Sequence, residues 1–167
     1  TAHHQATLYT GNGSARNIDQ TGNSKFLPDF VWLKNRDQAD PNMLYTSVLG
    51  VQKDLNIDDN TAANTNANGL TSFDSDGFGV GSGAGGYNDN TEKFVAYQWL
   101  GGGAASSNTS GTITSSVSVN TTAGISVGTY TGTGSAATIG HGLGAVPHWI
   151  MTKNTAAAGL WVLYHQH

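Results

Sequence analysis

Two carboxylates beside a glycine, Asp74 and Asp76, have the clearest potential for chemistry in this chain. Carboxylate oxygens at this spacing, followed by a glycine at a sharp bend, are typical of calcium-binding loops. The further ligands and the distal glutamate of an EF-hand are absent, so a tight β-turn between two phenylalanine-bearing strands is the alternative interpretation. We expect the turn, and the sequence leaves calcium open as a cofactor with Asp74 and Asp76 as its ligands.

A second candidate site combines one aromatic ring with three polar side chains, at Tyr87, Asn88, Asp89 and Asn90. An aromatic ring in a loop stacks on the apolar face of a sugar, while neighbouring amides and carboxylates bind its hydroxyl groups. These four residues are therefore a candidate carbohydrate-binding loop, and an ordinary polar turn is the alternative. The tryptophans lie in apolar, strand-like contexts, where we expect core packing rather than ligand contact: Trp32, Trp99, Trp149 and Trp161.

The remaining reactive residues form no pattern that predicts catalysis. His165 and His167 would share one face of a strand, but a third ligand at zinc-like spacing is missing. The sequence contains no G-x-S-x-G motif and no phosphate-binding glycine loop, and Glu92 is its only glutamate. We therefore expect a protein that is not an enzyme.

Composition argues against several function classes. Seven Lys and Arg face eleven Asp and Glu, for a net charge of −4, and no basic stripe is present, so we expect no nucleic-acid partner. No apolar run approaches the roughly 18 residues of a membrane helix, so we expect no membrane insertion. The chain has no Cys, which excludes disulfides and thiolate metal sites. Because the first residue is Thr1, we expect the chain to begin inside a longer polypeptide or after processing.

The chain contains an internal repeat. Residues 9–18 match residues 130–139, and residues 28–35 match residues 147–154. A repeat spaced by roughly 120 residues has the size of a domain. We therefore predict a first unit, a Gly- and Ser-rich linker and a partial second copy, over residues 1–100, 101–111 and 112–167.

Hydrophobic patterning within the repeat predicts an all-β fold. Ile113, Val117 and Val119 alternate with polar residues, as they would in a half-solvated strand. Other runs are apolar on both faces and predict central strands covered on two sides, at residues 30–33, 94–97 and 149–151. Gly- and Asn-rich clusters separate these runs, as hairpin loops do.

Five segments in order resemble a known family: residues 8–14, 28–35, 44–50, 73–78 and 94–99. Together with the second copy of the repeat, they resemble a tandem domain of uncharacterised function from fibre-like and other structural proteins of marine bacteriophages. The resemblance implies an antiparallel β-sandwich of the concanavalin A-like, SPRY-like or jelly-roll type, with one unit and a partial second copy. It brings no catalytic residues with it.

The resemblance predicts a non-catalytic structural module of a bacteriophage virion, in a tail or head fibre or a decoration protein, with recognition of the host surface. The expected partners are other virion proteins, copies of the chain itself in a homo-oligomer, and a host-surface glycan. The expected location is the virion, an extracellular particle. Two alternatives stay open. One is a lectin-like carbohydrate-binding module. The other is a self-assembling extracellular adhesin or filament subunit completed by strand exchange, since a truncated copy leaves strand edges unpaired.

Overall fold

The computed structural model describes residues 3–23, 25–82, 85 and 87–167, and every regular element in them is a β-strand. The strands are β1 (His4–Thr10), β2 (Arg16–Asp19), β3 (Phe30–Asn35), β4 (Met43–Thr46), β5 (Lys53–Asn56), β6 (Asn64–Thr65), β7 (Leu70–Asp74), β8 (Gly77–Val80), β9 (Lys93–Trp99), β10 (Ser106–Asn108), β11 (Ser115–Asn120), β12 (Ile125–Tyr130), β13 (Trp149–Thr152) and β14 (Val162–His165). The all-β prediction is confirmed. Within the same residues, nothing helical is long and apolar enough to span a bilayer.

Two antiparallel sheets form a sandwich in the first unit. One sheet has six strands in the order β1-β9-β3-β4-β5-β6, and the other has three in the order β2-β8-β7. Val31 and Phe94 of the larger sheet pack with Ile18 and Phe78 of the smaller one in a single buried cluster. The core therefore lies between the two sheets.

The predicted central strands at residues 30–33 and 94–97 are confirmed as the centre of the larger sheet. β3 pairs with β4 on one side and β9 on the other, and β9 in turn pairs with β1. Side chains alternate along both strands, so Val31 and Phe94 point into the core. Trp32 and Tyr97 point to the outer face and stay partly exposed. Val95 lies on the same outer face and is buried. The inner face is therefore covered, as predicted, whereas the outer face is covered only in part.

Beyond the first sandwich, residues 106–165 form two small sheets, β10-β11-β12 and β13-β14. Residues 101–111, predicted as a linker, include β10, which pairs with β11. The prediction of a fully covered strand at residues 149–151 is wrong, because Trp149 is 52% exposed and Ile150 is 42% exposed. In the described part of the chain, β13 pairs with β14 alone.

Candidate functional site

Aromatic side chains line the outer face of the larger sheet where β1, β9 and β3 lie side by side. Strand pairing places Trp32 opposite Tyr97, and it places both Phe30 and His4 opposite Trp99. Because alternate residues of a strand share one face, these rings project to the same side of the sheet. We call His4, Trp32, Tyr97 and Trp99 the aromatic strip.

The rings of the strip touch one another in series. Ring centroids are 6.0 Å apart for Trp32 and Tyr97, 6.4 Å for Tyr97 and Trp99, and 4.7 Å for His4 and Trp99. Phe30 supports Trp99 from the side in an edge-on contact at 4.9 Å. These separations lie in the range of favourable aromatic pairs, so each ring holds its neighbour in place. Tyr97 remains 37% exposed, which leaves part of its surface available to a ligand.

A shallow groove of about 420 Å³ runs over this face and has a polar rim. Its lining residues are Trp32, Lys34, Asn42, Val95, Tyr97 and Trp99. Ligand sites combine a mainly apolar lining with a few oriented polar groups, and this groove has both components.

Hydrogen bonds fix the orientation of the tryptophan at one end of the strip. Trp32 Nε1 donates to Asn42 Oδ1 at 2.9 Å. The Asn42 side chain in turn donates to Asp58 Oδ1 at 2.9 Å, and its backbone N–H donates to Asp58 Oδ2 at 2.6 Å. Trp32 is therefore ordered before any ligand arrives, which lowers the entropy cost of binding.

Tyr87 of the predicted sugar-binding loop lies inside the first unit. It is 4% exposed, and its hydroxyl donates to the backbone carbonyl of Pro41. Its ring meets Phe94 edge-on at 6.1 Å. A sugar cannot stack on this ring without unpacking the core, so the structure gives Tyr87 a packing role.

Asn88 from the same loop is fully buried and connects the backbone of residues 12–14 with that of Gly81. Its Nδ2 donates to the carbonyls of Ser14 at 2.6 Å and Gly81 at 3.1 Å, and its Oδ1 accepts from Asn12 N. Asp89 is half-buried and Asn90 is exposed. The four residues thus do not converge on one open surface.

The predicted calcium-binding residues flank a hairpin turn. Asp74 ends β7 and accepts a hydrogen bond from Ser72 Oγ at 3.1 Å. Asp76 lies in the turn before β8 and forms an exposed ion pair with Lys25 at 3.2 Å. Within the described residues, His, Cys, Asp and Glu form no group of three or more arranged to hold a metal ion. The turn is observed, and calcium binding stays a prediction.

The unit also buries several titratable groups. Burial raises the pKa of the Tyr9, Tyr45 and Tyr87 phenols well above the usual range, so all three stay protonated. Burial likewise raises the pKa of the Asp54 carboxyl. Among the residues that the structure describes, none donates a hydrogen bond to its Oδ1, and Asn66 Nδ2 donates a long hydrogen bond of 3.4 Å to its Oδ2. None of these four groups is among the residues that line the groove.

A second groove, of about 440 Å³, lies where the second copy touches the first. Its lining residues are Ile57, Asp58, Asp59, Asn60, Leu160 and Trp161. Trp161 Nε1 donates to Asn56 O at 2.8 Å, and Gly159 N donates to Asn60 O at 2.8 Å. These bonds hold the loop between β13 and β14 against the first unit. His165 and His167 lie beyond this loop, with ring centroids 5.8 Å apart.

The expectation that Trp32 and Trp99 pack in the core was wrong, and the aromatic strip was missed for that reason. The informative pattern was the spacing of aromatic residues two apart on two strands, Phe30 with Trp32 and Tyr97 with Trp99. Such spacing places the rings on one face, opposite the aliphatic residues that fill the core. The pairing of the two strands, which sequence alone did not supply, brings the rings together.

Comparison with known proteins places the chain in one family. No curated protein and no solved structure matches it. One family model matches, and it covers residues 1–167. The chain belongs to that family, which is described as a domain of unknown function (DUF7483).

Proposed function

We propose that this chain is a non-catalytic recognition module that binds carbohydrate on the aromatic strip. The proposal rests on one observation: consecutive aromatic rings, ordered by one another and by Asn42, remain partly open on a rigid sheet face. The C–H groups on one face of a pyranose ring pack against aromatic rings, and the sugar hydroxyls need polar partners at the edge.

The polar rim of the groove supplies such partners. Lys34 and Asn42 line the groove beside Trp32 and Tyr97. Lys34 Nζ donates to the backbone carbonyl of Asp40, which holds the ammonium group near the rim. An ammonium group donates three hydrogen bonds, so Lys34 retains donors for a hydroxyl or an acidic group of a sugar.

This proposal favours the lectin-like alternative and agrees with the predicted role on a virion surface. A module that binds a glycan weakly becomes an effective attachment device when a fibre presents many copies of it. The virion location and the bacteriophage origin stay predictions that depend on the sequence resemblance.

A glycan array followed by calorimetry tests the proposal. The full chain is screened against oligosaccharides of neutral and acidic classes, and the dissociation constant of the best ligand is measured. Tyr97→Ala removes an exposed ring from the middle of the strip and is expected to weaken binding about tenfold or more, as loss of a central aromatic contact does.

Trp149→Ala is the matched control, because Trp149 is also an exposed aromatic residue on a strand but lies outside the strip. This variant should bind as the unaltered chain does. Equal losses in both variants, or no glycan bound by the unaltered chain, would refute carbohydrate binding at the strip.

A further inference from the structure

The hairpin formed by β13 and β14 repeats the hairpin formed by β3 and β4 residue for residue. Val31 lies opposite Tyr45 in the first hairpin, and Ile150 lies opposite Tyr164 in the second. Hydrogen bonds that close the first hairpin recur at matching positions in the second: Lys34 Nζ to Asp40 O and Lys153 Nζ to Gly159 O, and Ser47 N to Asp29 O and Gln166 N to His148 O. The two hairpins are therefore copies in structure as well as in sequence.

Other strands of the unit cover the first hairpin in two ways. Strand β9 pairs with the second edge of β3 along its whole length. Phe78 of β8 belongs to the same buried cluster as the inward side chains Val31 and Tyr45. Both of those side chains are fully buried as a result.

In the second hairpin, the described residues leave the same edge unpaired and the same face partly exposed. Ile150 is 42% exposed and Tyr164 is 52% exposed. In the described part of the chain, no strand pairs with the second edge of β13. An open edge beside an apolar face is a template for another β-strand.

A position outside the hairpins, Ile18 and its counterpart Ile139, shows the same difference in burial between the two copies. Ile18 lies opposite Phe78 in the pairing of β2 with β8, and it is buried. Its counterpart in the repeat, Ile139, forms an isolated bridge to Ile113 and is 38% exposed. The missing cover therefore corresponds to β8 as well as to β9.

We propose that the β13–β14 hairpin is a docking surface for the complementary half of a second sandwich, a polypeptide segment with the pattern of residues 53–99. This segment adds an antiparallel strand to the open edge of β13 and packs a β8-like strand over Ile139, Ile150 and Tyr164. The first unit shows the fit, because its own residues 53–99 cover the matching hairpin in this way.

Hydrogen exchange on an extended chain tests the proposal. A second copy of residues 49–99 is appended directly after His167. Each appended residue then follows the second hairpin at the same distance in sequence as its original follows the first hairpin. Amides of residues 148–153 are expected to become at least about 100-fold better protected in the extended chain than in the unextended chain, approaching residues 29–34. Residues 29–34 also report whether the first unit remains folded.

The control is the same extension with the appended copies of Phe78 and Phe94 changed to Asp, which should leave residues 148–153 unprotected. Unchanged exchange in the extended chain would overturn the proposal. Protection in the unextended chain that rises with protein concentration would also overturn it, because the occupant would then be the open hairpin of a second copy, whose own residues 53–99 already cover its first unit. Glycan binding is independent of this surface, so failure here leaves the aromatic strip untouched.

Discussion

The two hairpins of the repeat show how little of their environment is encoded in their own sequence. Tyr45 and Tyr164 occupy equivalent positions and face equivalent partners, Val31 and Ile150. Tyr45 is completely buried, whereas Tyr164 is 52% exposed. Local pairing is the same in both hairpins, so the difference comes from strands that lie far along the chain.

This comparison separates two sources of stability. The strand register and the turn hydrogen bonds form in either hairpin, because they need only local residues. Burial needs β8 and β9, which lie more than thirty residues beyond the first hairpin in sequence. A residue that contributes through burial should therefore matter in the first hairpin alone, whereas a residue that contributes through the turn should matter in both.

Truncation of the equivalent tyrosines should give the largest contrast. Tyr45→Ala leaves a cavity in the core and is expected to lower the free energy of unfolding by about 3–5 kcal/mol. Tyr164→Ala removes a half-exposed side chain and should cost about 0.5 kcal/mol. Urea denaturation of the two variants, followed by circular dichroism, provides the comparison.

Similar costs in the two variants would mean that the second hairpin is already covered in solution. The two tyrosine variants also test the docking proposal. In the chain extended by residues 49–99, Tyr164→Ala should become as costly as Tyr45→Ala is in the first unit.

A smaller contrast is expected at the turn that both hairpins share. Asn35 Oδ1 accepts hydrogen bonds from the backbone N–H groups of Asp37 and Gln38. In the second copy, Asn154 Oδ1 accepts from the equivalent N–H groups of Ala156 and Ala157. Asn35 is also buried, and its Nδ2 donates to Asp40 and Glu92.

Asn35→Ala should therefore cost about 2 kcal/mol, because it removes a buried amide and leaves its half-buried partners Asp40 and Glu92 without those hydrogen bonds. Asn154→Ala should cost about 0.5 kcal/mol, since it loses only the exposed turn. Thermal unfolding of both variants measures the difference. Equal losses of stability in Asn35→Ala and Asn154→Ala would show that the turn hydrogen bonds, rather than the burial of Asn35, determine the cost.

Sequence patterns predicted the parts of the fold that depend on local residues. Alternation and apolar runs identified β3, β9 and β11, and the repeat predicted that residues 147–154 would resemble residues 28–35. The same patterns failed for Trp32 and Trp149, because exposure depends on which distant strand lies against each face. The burial of Tyr87 in the candidate sugar-binding loop has a related reason. A loop rich in Tyr, Asn and Asp has the same composition whether its polar groups bind a ligand or bind the backbone, as Asn88 does.

The smallest expected effect concerns the carboxyl group of Asp54, which is buried in the first unit. Asp54 lies on β5, and burial raises its pKa, so the folded chain retains this proton to a higher pH than the unfolded chain. The stability contributed by the protonated form is therefore full below the unfolded pKa of about 3.9 and is lost as pH rises through the higher folded pKa.

Asp54→Asn removes this loss, because an amide does not titrate. The variant should be about 1 kcal/mol more stable than the unaltered chain at neutral pH, and this advantage should vanish in acid. Denaturation midpoints measured from pH 3 to pH 8 test both parts, with exposed Asp19→Asn as the control. If the stability of Asp54→Asn relative to the unaltered chain instead increased towards acid pH, the folded state would stabilise the ionised Asp54 carboxylate. Burial would then not be the main influence on this group.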